Sequence, residues 1–573
     1  MRSPVPRYPC VGDRGAVDPN SPILHPVVLA YSHGTSTIPL IGQTIGENLR
    51  ETARRFPERD ALVVPFQRVR LTYADFDSSV DTLALSLVGA GIAKGDRVGV
   101  WSPNSAEWVV IQYAAARAGA ILVNLNPAYR THEIEYALRQ SECRLLFAAT
   151  SYKTSDYVAM IDAVRSNVPA LERVVFLGTE SWKELLNAAV LPDPSALHGR
   201  ESTLQFDDPV NIQYTSGTTG FPKGATLSHH NILNNGYFIG EGCRYTEMDR
   251  VCIPVPFYHC FGMVLGNLAC TTHGAAIVVP APTFDAAMTL RTVQEEHCTS
   301  LYGVPTMFIA ELALPDFGRY DFSSLRTGIM AGSPCPIAVM KQCVSAMHMD
   351  EVTICYGMTE TSPVSTQTGV DDPLDKRVGT VGRVHPHLEV KIVDPETGGI
   401  VSRGTTGELC TRGYTVMLGY WREPEKTTEA IDGAGWMHTG DLATMDEQGY
   451  VNIVGRLKDM IIRGGENVYP REVEEFLYAH PDIVDVQVIG VPDLNYGEEI
   501  MAWVKLRSGA VPLDADAVRR FCLGRIAHYK IPRYVQVVEE FPMTVTGKVQ
   551  KYVMRVEAIE LLGLQQADDV ATA

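Results

Sequence analysis

Apolar and polar positions follow two different spacings in the N-terminal third of the chain, and each spacing predicts a different element. Short apolar runs that fit buried strands are separated by longer stretches with apolar residues at helical spacing. Strands that alternate with helices are typical of a parallel β-sheet with helices packed over its faces, so the pattern predicts an α/β fold. The strand-like runs are Arg97–Trp101, Ala120–Leu125 and Arg144–Ala148, and the helix-like stretches are Ala74–Val88, Ala106–Arg117 and His132–Gln140.

Regular structure is expected to begin near residue 43. Residues 1–42 are rich in Pro, Gly and Ser and show little periodicity, which predicts an irregular leader. The segment Thr44-Ile45-Gly46-Glu47 then has the spacing of a capping box, which predicts a helix that ends at Arg55, before Pro57. Farther along, Asn211-Ile212-Gln213-Tyr214 predicts a strand that leads directly into a glycine-rich loop.

The pattern changes twice in the C-terminal half. Residues from about 375 to 455 are rich in Gly and Thr and contain short β-like runs, which predicts a small antiparallel or barrel-like subdomain. After about Asp459 the order becomes helix, strand, strand, helix, strand, which indicates a separate α+β domain. We therefore predict a large N-terminal domain over 43–457, joined by a hinge to a small mobile domain over 458–573. The runs that support this division are Leu388–Val393, Gly407–Arg412, Tyr450–Val454, Pro470–Ala479, Ile483–Val491 and Ile500–Leu506.

Charge and composition narrow the class of function. The chain has 573 residues with 49 Lys+Arg against 67 Asp+Glu, and its formal net charge of −18 argues against a general nucleic-acid-binding protein. An acidic balance still permits a local basic pocket for a phosphate ligand. No apolar run reaches the length of about 18 residues that a membrane-spanning helix needs, so we expect no transmembrane segment. The 12 cysteines include no CxxC pair and no Cys/His cluster at zinc spacing, which is typical of buried reduced thiols.

The expected location is the cytoplasm. The N-terminus contains Arg2, Arg7 and Arg14, but it also contains Asp13 and Asp18 and lacks the apolar core of a signal peptide. An organellar presequence stays open as an alternative. The pattern does not specify an oligomeric state.

One loop carries most of the chemical information, and it follows the strand at Asn211 directly. It reads Tyr214-Thr215-Ser216-Gly217-Thr218-Thr219-Gly220-Phe221-Pro222-Lys223-Gly224. Its glycines let the backbone approach a ligand closely, while hydroxyls, N–H groups and the lysine supply donors and positive charge for an anion. The Walker A spacing is absent, and by composition alone such a loop is also typical of a flexible turn. The preceding strand and the terminal lysine favour a polyphosphate cradle.

This loop resembles the phosphate-binding loop of the adenylate-forming superfamily, which contains acyl-CoA synthetases, nonribosomal-peptide adenylation domains and luciferases. Other segments that resemble this superfamily follow in the expected order, so that the resemblance covers about residues 40–560. It implies ATP, Mg²⁺ and CoA as ligands, and small molecules rather than nucleic acid as partners. The segments are Ala331-Gly332-Ser333-Pro334, Tyr356-Gly357-Met358-Thr359-Glu360, Trp436–Asp441, Gly455–Asp459, Gly464–Asn467 and Pro542–Lys548.

The resemblance also implies the role of each candidate residue. In the mobile domain, Lys548 would reach the junction of the substrate carboxylate and the α-phosphate, and rotation about Lys458 would replace it with the Gly464-Gly465 loop near CoA. Without the resemblance, Lys548 is an ordinary surface lysine. In the main domain, Thr215, Lys223 and the loop Ser216-Gly217-Thr218-Thr219-Gly220 would hold phosphates, Gly332, Ser333, Tyr356, Gly357 and Thr359 would border adenine and Mg²⁺, Glu360 would bind the metal, and Asp441 and Arg456 would bind ribose or phosphate oxygens.

The candidate acyl pocket begins at Phe257-Tyr258-His259-Cys260-Phe261-Gly262, which resembles the mouth of the acyl pocket in acyl-CoA synthetases. Peptide-synthetase domains carry an aspartate here that pairs with the α-amino group of their substrate. This chain has His259, so activation of an amino acid is disfavoured and a pocket-gating role is implied. The plainer alternative is a core histidine whose ring nitrogens form hydrogen bonds within the protein.

Two strings, Cys410–Trp421 and Lys458–Asn467, most resemble the medium-chain fatty acyl-CoA ligase branch. We therefore predict an AMP-forming ligase that activates a medium-chain fatty acid to acyl-AMP and transfers the acyl group to CoA. The alternatives are an aryl acid, such as a coumarate-like substrate, and a fatty acyl-AMP ligase that loads a carrier protein. A nucleotide-binding regulatory protein without catalysis is disfavoured, because the charged residues Lys223, Glu360, Asp441, Arg456 and Lys548 are all present.

Overall fold

The computed structural model describes residues 28–187, 193–215, 222–464, 466–544 and 549–565. Within these ranges the chain forms 28 strands and 17 α-helices, and their alternation confirms the predicted α/β class. The strands are β1 Tyr31–His33, β2 Asp60–Val64, β3 Val69–Thr72, β4 Arg97–Trp101, β5 Ile121–Asn124, β6 Leu145–Ala148, β7 Ser151–Tyr152, β8 Ser155–Asp156, β9 Arg173–Phe176, β10 Pro209–Thr215, β11 Lys223–Ser228, β12 Arg250–Cys252, β13 Ala276–Val278, β14 Ser300–Gly303, β15 Thr327–Ala331, β16 Glu351–Gly357, β17 Val364–Gln367, β18 Arg383–Val384, β19 Leu388–Val393, β20 Gly407–Gly413, β21 Gly419–Tyr420, β22 Met437–Met445, β23 Val451–Arg456, β24 Ile461–Arg463, β25 Glu466–Val468, β26 Ile483–Asp493, β27 Gly497–Leu506 and β28 Tyr534–Val537.

The helices include the predicted first one, which begins after Thr44 with the expected capping box and ends at Arg55. In that box the Thr44 hydroxyl accepts from the Glu47 N–H, and the Glu47 carboxylate accepts from the Thr44 N–H. The helices are α1 Ile45–Arg55, α2 Tyr73–Gly89, α3 Ala106–Ala118, α4 Thr131–Ser141, α5 Tyr157–Val164, α6 Glu180–Leu186, α7 Pro194–Glu201, α8 His229–Gly242, α9 Ala269–His273, α10 Ala286–Glu295, α11 Pro305–Leu312, α12 Ile337–Ala346, α13 Leu374–Gly379, α14 Pro424–Ala430, α15 Pro470–Leu477, α16 Ala515–Cys522 and α17 Lys551–Leu562.

Two large sheets form the main body. The first has seven strands in the order β21-β11-β10-β5-β4-β6-β9, and its strands are parallel from β10 to β9. The second has nine strands in the order β18-β17-β16-β15-β14-β12-β13-β2-β3, and its strands are parallel from β16 to β2. Since the carboxyl ends of parallel strands share one edge, each sheet offers a row of loops at which a ligand can bind.

Helix α3 lies between these sheets and is buried over almost its whole length. It contacts β4 and β5 on one side and β2 on the other, and one apolar cluster spans the helix and both sheets. A helix with few polar residues is expected in such an enclosed position. Gly119, at φ +74°, ends the helix, and β5 starts shortly afterwards.

The β-rich segment forms an antiparallel sheet of five strands in the order β1-β19-β20-β22-β23. The prediction of an irregular leader up to residue 42 is wrong at β1, because Tyr31–His33 pairs with β19 at the edge of this sheet. A strand of three residues is too short to show periodicity, and its partner lies far away in the sequence. Residues 1–27 lie outside the described ranges.

The C-terminal part follows the predicted order of helix, strand, strand, helix, strand, from α15 through β26, β27 and α16 to β28. Its sheet has the order β25-β24-β27-β26, and β28 pairs with β27 in parallel. Val486 and Val488 pack on the side of α15, whereas Ile489 and Val491 pack on the side of α17. Burial on both faces explains why β26 is apolar along most of its length.

The described residues contain no helix that is both long and apolar enough to cross a membrane. The eleven cysteines in these ranges are all buried and form no disulfide, which agrees with the prediction of reduced thiols.

Candidate active site

The glycine-rich loop joins β10 to β11, which run antiparallel with Thr215 opposite Lys223. The Thr215 hydroxyl donates to the Lys223 carbonyl oxygen at 3.4 Å, so both ends of the loop stay side by side. The structure therefore places the candidate residues Thr215 and Lys223 together at the mouth of one hairpin. The candidates between them, Ser216, Gly217, Thr218, Thr219 and Gly220, lie outside the described residues.

Glu360 lies next to this mouth, in the turn that follows β16. The Thr215 hydroxyl donates to its Oε1 at 3.2 Å, and the Tyr420 hydroxyl donates to the same oxygen at 2.9 Å. The residue is only 5% exposed. A nearly enclosed carboxylate beside a phosphate-type loop has the oxygen chemistry that Mg²⁺ prefers.

Tyr420 is a site residue that the sequence did not single out. Strand β21 pairs with β11, which carries Tyr420 to the hairpin, and the Lys223 ammonium lies 4.2 Å from the centre of the Tyr420 ring. Burial, followed by the negative charge of Glu360, raises the pKa of Tyr420 well above its ordinary value, so the hydroxyl stays a donor. The sequence signal for Tyr420 is its place in the string Cys410–Trp421, which resembles a branch of the superfamily.

A second polar group forms where β16 meets the antiparallel sheet. The Tyr356 hydroxyl donates to Asp441 Oδ2 at 2.8 Å, and Arg456 Nε donates to Asp441 Oδ1 at 3.2 Å. Asp441 and Arg456 are direct partners in the pairing of β22 with β23. Burial, followed by the charge of Asp441, raises the pKa of Tyr356 well above its ordinary value. The structure thus brings these three predicted residues together.

Gly332, Ser333, Gly357 and Thr359 lie at the carboxyl ends of the neighbouring parallel strands β15 and β16. Gly357 has no room for a side chain, because a Cβ atom there would lie 1.7 Å from the Pro363 carbonyl oxygen. Gly332 adopts φ +90°, a conformation that favours glycine. These positions form the open edge at which ligands bind in parallel sheets.

His259 lies two residues before a buried π-helical segment, Phe261–Leu268. Its Nδ1 accepts from the Phe261 N–H at 3.1 Å, while Cys260 Sγ lies 3.7 Å from Thr359 Oγ1. Met263 of the same segment lies 3.1 Å from the side-chain amide of Gln213 on β10. The structure therefore places the predicted acyl-pocket mouth beside both the loop hairpin and the end of β16. Irregular helices of this kind are frequent at functional sites.

Lys458 lies in the short 3₁₀ turn Leu457–Asp459, directly after β23. Partial burial lowers its pKa from the ordinary value, the positive charge of Arg456 lowers it further, and Lys223 contributes in the same direction. Lys458 follows Arg456, the last residue of β23, by two positions. The predicted hinge residue is therefore close to the group of Asp441 and Arg456.

The remaining candidates belong to the C-terminal part. Gly464 adopts φ +60° in the turn between β24 and β25, and its N–H donates to the Tyr496 carbonyl oxygen at 2.8 Å. This hydrogen bond ties the turn to the residue that precedes β27. Gly465 and Lys548 lie outside the described residues. Met543 and Val549, which flank Lys548 in the sequence, pair with each other in an isolated β-bridge.

Two family models match the chain. The model of the AMP-binding enzyme matches residues 49–421, and the model of the AMP-binding enzyme C-terminal domain matches residues 472–548. Together they span both the loop hairpin and the loop that contains Lys548.

Curated relatives match over nearly the whole length. YngI of Bacillus subtilis (strain 168), which carries the name of an acyl-CoA synthetase, is 49% identical over 547 residues, covering 92% of this chain and 99% of that protein. The mitochondrial medium-chain acyl-CoA ligase ACSF2 of Danio rerio is 43% identical over 565 residues, covering 95% of this chain and 93% of that protein.

Solved structures share the fold. The anthranilate CoA ligase AuaEII in complex with anthranoyl-AMP superposes with a TM-score of 0.80 at 29% identity, covering 91% of this chain and 98% of that one. ATP-bound MatB from Rhodopseudomonas palustris superposes with a TM-score of 0.77 at 30% identity, covering 91% of this chain and 99% of that one. The chain therefore belongs to the AMP-binding enzyme family, and within this adenylate-forming superfamily to its acyl-CoA synthetases.

Proposed function

We propose that the protein is an ATP-dependent fatty acid–CoA ligase for medium-chain acids. It joins the acid to ATP as acyl-AMP, with release of pyrophosphate, and then transfers the acyl group to CoA, with release of AMP. The observation that carries this proposal is the contact of Glu360 with Thr215 and Tyr420 at the mouth of the loop hairpin, beside Lys223. Cationic, hydroxyl and carboxylate groups meet there as a metal-bound polyphosphate requires.

The chemistry explains this choice of residues. A carboxylate is a poor electrophile, because its charge repels nucleophiles and it lacks a good leaving group, whereas acyl-AMP supplies one. The transition state of adenylation gathers negative charge on phosphate oxygens, so fixed cations and N–H donors stabilise it without a covalent nucleophile. Lys223 meets this requirement from the hairpin and Lys548 from the mobile domain.

The positions of the candidate residues support the following binding roles. Gly332, Ser333, Tyr356 and Gly357 border adenine at the carboxyl ends of β15 and β16, while Asp441 and Arg456 hold the ribose and phosphate oxygens. Glu360 binds Mg²⁺ with Thr359 beside it, and Thr215 with the adjoining loop cradles the phosphates. Arg456 and Asp441 are already hydrogen-bonded to each other, which orients both side chains before a ligand arrives. Rotation about Lys458 then exchanges Lys548 for the Gly464-Gly465 loop, so the division into domains 43–457 and 458–573 is part of the proposal.

The medium-chain substrate is supported by two observations. ACSF2 of Danio rerio is named a medium-chain acyl-CoA ligase and is 43% identical to this chain. The π-helical segment Phe261–Leu268 beside His259 is entirely buried and mostly apolar, which suits an alkyl chain. An aryl acid is the second candidate, because AuaEII is an anthranilate CoA ligase of the same fold. We place the enzyme in the cytoplasm, with an organellar matrix as the alternative, since ACSF2 is named mitochondrial.

A panel of acids tests the substrate. Purified protein with ATP, Mg²⁺ and CoA is assayed with alkyl acids of short, medium and long chain and with one aryl acid, and AMP and acyl-CoA are quantified. We expect the highest kcat/KM with the medium-chain acids, and equal amounts of AMP and thioester. Preference for the aryl acid would favour the second candidate, and acyl-AMP without thioester would indicate a ligase that loads a carrier protein. Failure of every acid to yield AMP would overturn the proposal.

Asp441→Asn is expected to raise the KM for ATP more than it lowers kcat. The change removes the charge that Tyr356 and Arg456 contact, and a hydrogen bond to a charged group is worth about 1.5–3 kcal/mol, which corresponds to about 10–100-fold in affinity. Steady-state kinetics at varied ATP measures the effect.

Glu389→Gln is the matched control for this change. Glu389 lies in the same antiparallel sheet, and it likewise accepts from a tyrosine, Tyr31 at 2.7 Å, and from an arginine, Arg412 at 2.9 Å. We expect this variant to keep the KM for ATP. An equal rise in both variants would assign Asp441 to the stability of the sheet instead of the nucleotide.

A further inference from the structure

Three side chains of the kind that binds metals share one face of the pair β20 and β22. Glu408 and Cys410 are two residues apart on β20, so their side chains point to the same side of the sheet. His438 on β22 lies directly opposite Cys410 in the register. No sequence spacing reveals this group, because it is created by the pairing of two strands.

Two distances within the group can be compared with those of a coordination site. His438 Nδ1 lies 3.5 Å from Cys410 Sγ and 2.8 Å from Glu408 Oε2, and the three ligand atoms all lie within 4.8 Å of one another. Zn–S and Zn–N bonds of about 2.3 and 2.0–2.1 Å set an S···N edge of about 3.5 Å and an N···O edge of about 3.3 Å in a tetrahedron. The S···N edge is already in place, and the N···O edge needs to open by about half an ångström.

The groups behind these ligands are also arranged for a metal. His438 Nε2 lies 3.9 Å from Asp432 Oδ2, which is longer than a hydrogen bond but puts a carboxylate on the side of the ring where the histidines of zinc sites have one. Asp432 is itself fixed, since its Oδ1 accepts from the Trp436 N–H at 2.9 Å. On the other ligand, Glu408 Oε1 accepts from the Gly440 N–H at 3.0 Å, which leaves Oε2 directed towards His438.

We propose that Glu408, Cys410 and His438 bind one thiophilic divalent ion of the Zn²⁺ type. Cys410 is buried, whereas the His438 side chain is 34% exposed, so an ion can enter past His438 and keep a fourth position for solvent. Coordination by Sγ requires that the thiol proton leave to solvent, which Zn²⁺ promotes and Mg²⁺ does not. Coordination by His438 Nδ1 requires the neutral imidazole with its proton on Nε2, the nitrogen on the side of Asp432, so the Nδ1–H bond to Glu408 is given up when the ion binds. The site is therefore distinct in chemistry from the Mg²⁺ position at Glu360.

An ion here would tie β20 to β22 just before the nucleotide-binding residues. Gly440, whose N–H contacts Glu408, directly precedes Asp441, and the Asp441 N–H donates to Thr439 Oγ1 at 3.1 Å. The Thr439 hydroxyl in turn donates to the Leu409 carbonyl oxygen at 2.7 Å, between the two ligands of β20. Occupancy thus fixes the backbone that carries Asp441.

Metal binding by the full-length, reduced and metal-free protein tests this site in the absence of nucleotide. Equilibrium dialysis is expected to find one tightly held Zn²⁺ that excess Mg²⁺ does not displace. Co²⁺ is expected to give a thiolate-to-cobalt charge-transfer band, which reports Cys410 as a ligand. Both readouts are independent of activity, so their outcome does not depend on the proposed ligase function.

Two variants and one control make the test specific. Cys410→Ala is expected to lose the Co²⁺ band and to raise the dissociation constant for Zn²⁺. Loss of a group that only hydrogen-bonds to a metal ligand weakens binding by roughly 10–100-fold, and loss of a ligand should weaken it at least as much. His438→Gln keeps a donor towards Glu408 and is expected to weaken binding similarly. Cys522→Ala, at a buried thiol in the C-terminal part, is expected to bind as the unchanged protein does. Undiminished binding by folded Cys410→Ala or His438→Gln, or equal loss in Cys522→Ala, would overturn the proposal.

Discussion

Lys548→Ala is expected to lower the rate of acyl-AMP formation by about 10²–10³-fold while thioester formation from supplied acyl-AMP is retained. The ammonium group neutralises charge that develops on phosphate oxygens in the first half-reaction, and loss of one such contact carries a cost of this size. The second half-reaction has no such charge to stabilise at the same position. Pyrophosphate release measures the first step, and acyl-CoA formation from added acyl-AMP and CoA measures the second.

Two comparisons make this result interpretable. Lys505→Ala removes an exposed lysine of β27 in the same domain and is expected to leave both half-reactions intact. Lys458→Pro restricts the turn Leu457–Asp459, and if rotation there exchanges the two active arrangements, it spares adenylation and damages thioester formation. Equal loss of both half-reactions in Lys548→Ala would contradict the proposed role.

Glu360→Gln is expected to reduce adenylation by about 10²–10³-fold and to weaken its dependence on Mg²⁺. The substitution keeps the shape of the side chain and an oxygen acceptor for Thr215 and Tyr420, but it removes the negative charge that holds the cation. Initial rates of pyrophosphate release at increasing Mg²⁺ measure both effects. The rate should remain low even when Mg²⁺ is saturating for the unchanged enzyme.

Glu311→Gln is the matched control. Glu311 is buried among apolar residues, and neither of its carboxylate oxygens has a hydrogen-bond partner within the described part of the chain. Burial raises the pKa of Glu311 well above its ordinary value, which favours the uncharged acid that the amide resembles. We expect unchanged kinetics. If Glu360→Gln behaved like this control, Glu360 would not be the metal ligand.

Elements with local signals could be predicted from the sequence. The capping box at Thr44 determines where α1 begins, and Pro470 at the first helical position marks the start of α15. Strand β19 coincides with the run Leu388–Val393, because buried and partly buried residues alternate over its first five positions. In each case the physical cause lies within a few residues of the element.

Features that depend on distant pairing could not be predicted. Tyr31 and Lys391 become partners only when β1 joins the antiparallel sheet. Tyr420 likewise reaches Glu360 only because β21 pairs with β11. The residues of the phosphate loop could be predicted, because their resemblance to the superfamily is contained in one continuous string. The hydrogen bond from Thr215 to Glu360 has no counterpart in any local pattern.

The enclosed position of α3 has a consequence for dissecting the molecule. Each large sheet uses this helix to cover one of its faces, so separating the sheets would leave an apolar surface bare on both fragments. Expression of either sheet alone should therefore yield an aggregating fragment rather than a stable half. For the same reason the amide hydrogens of α3 should exchange with solvent only when the whole N-terminal body unfolds, as one cooperative unit.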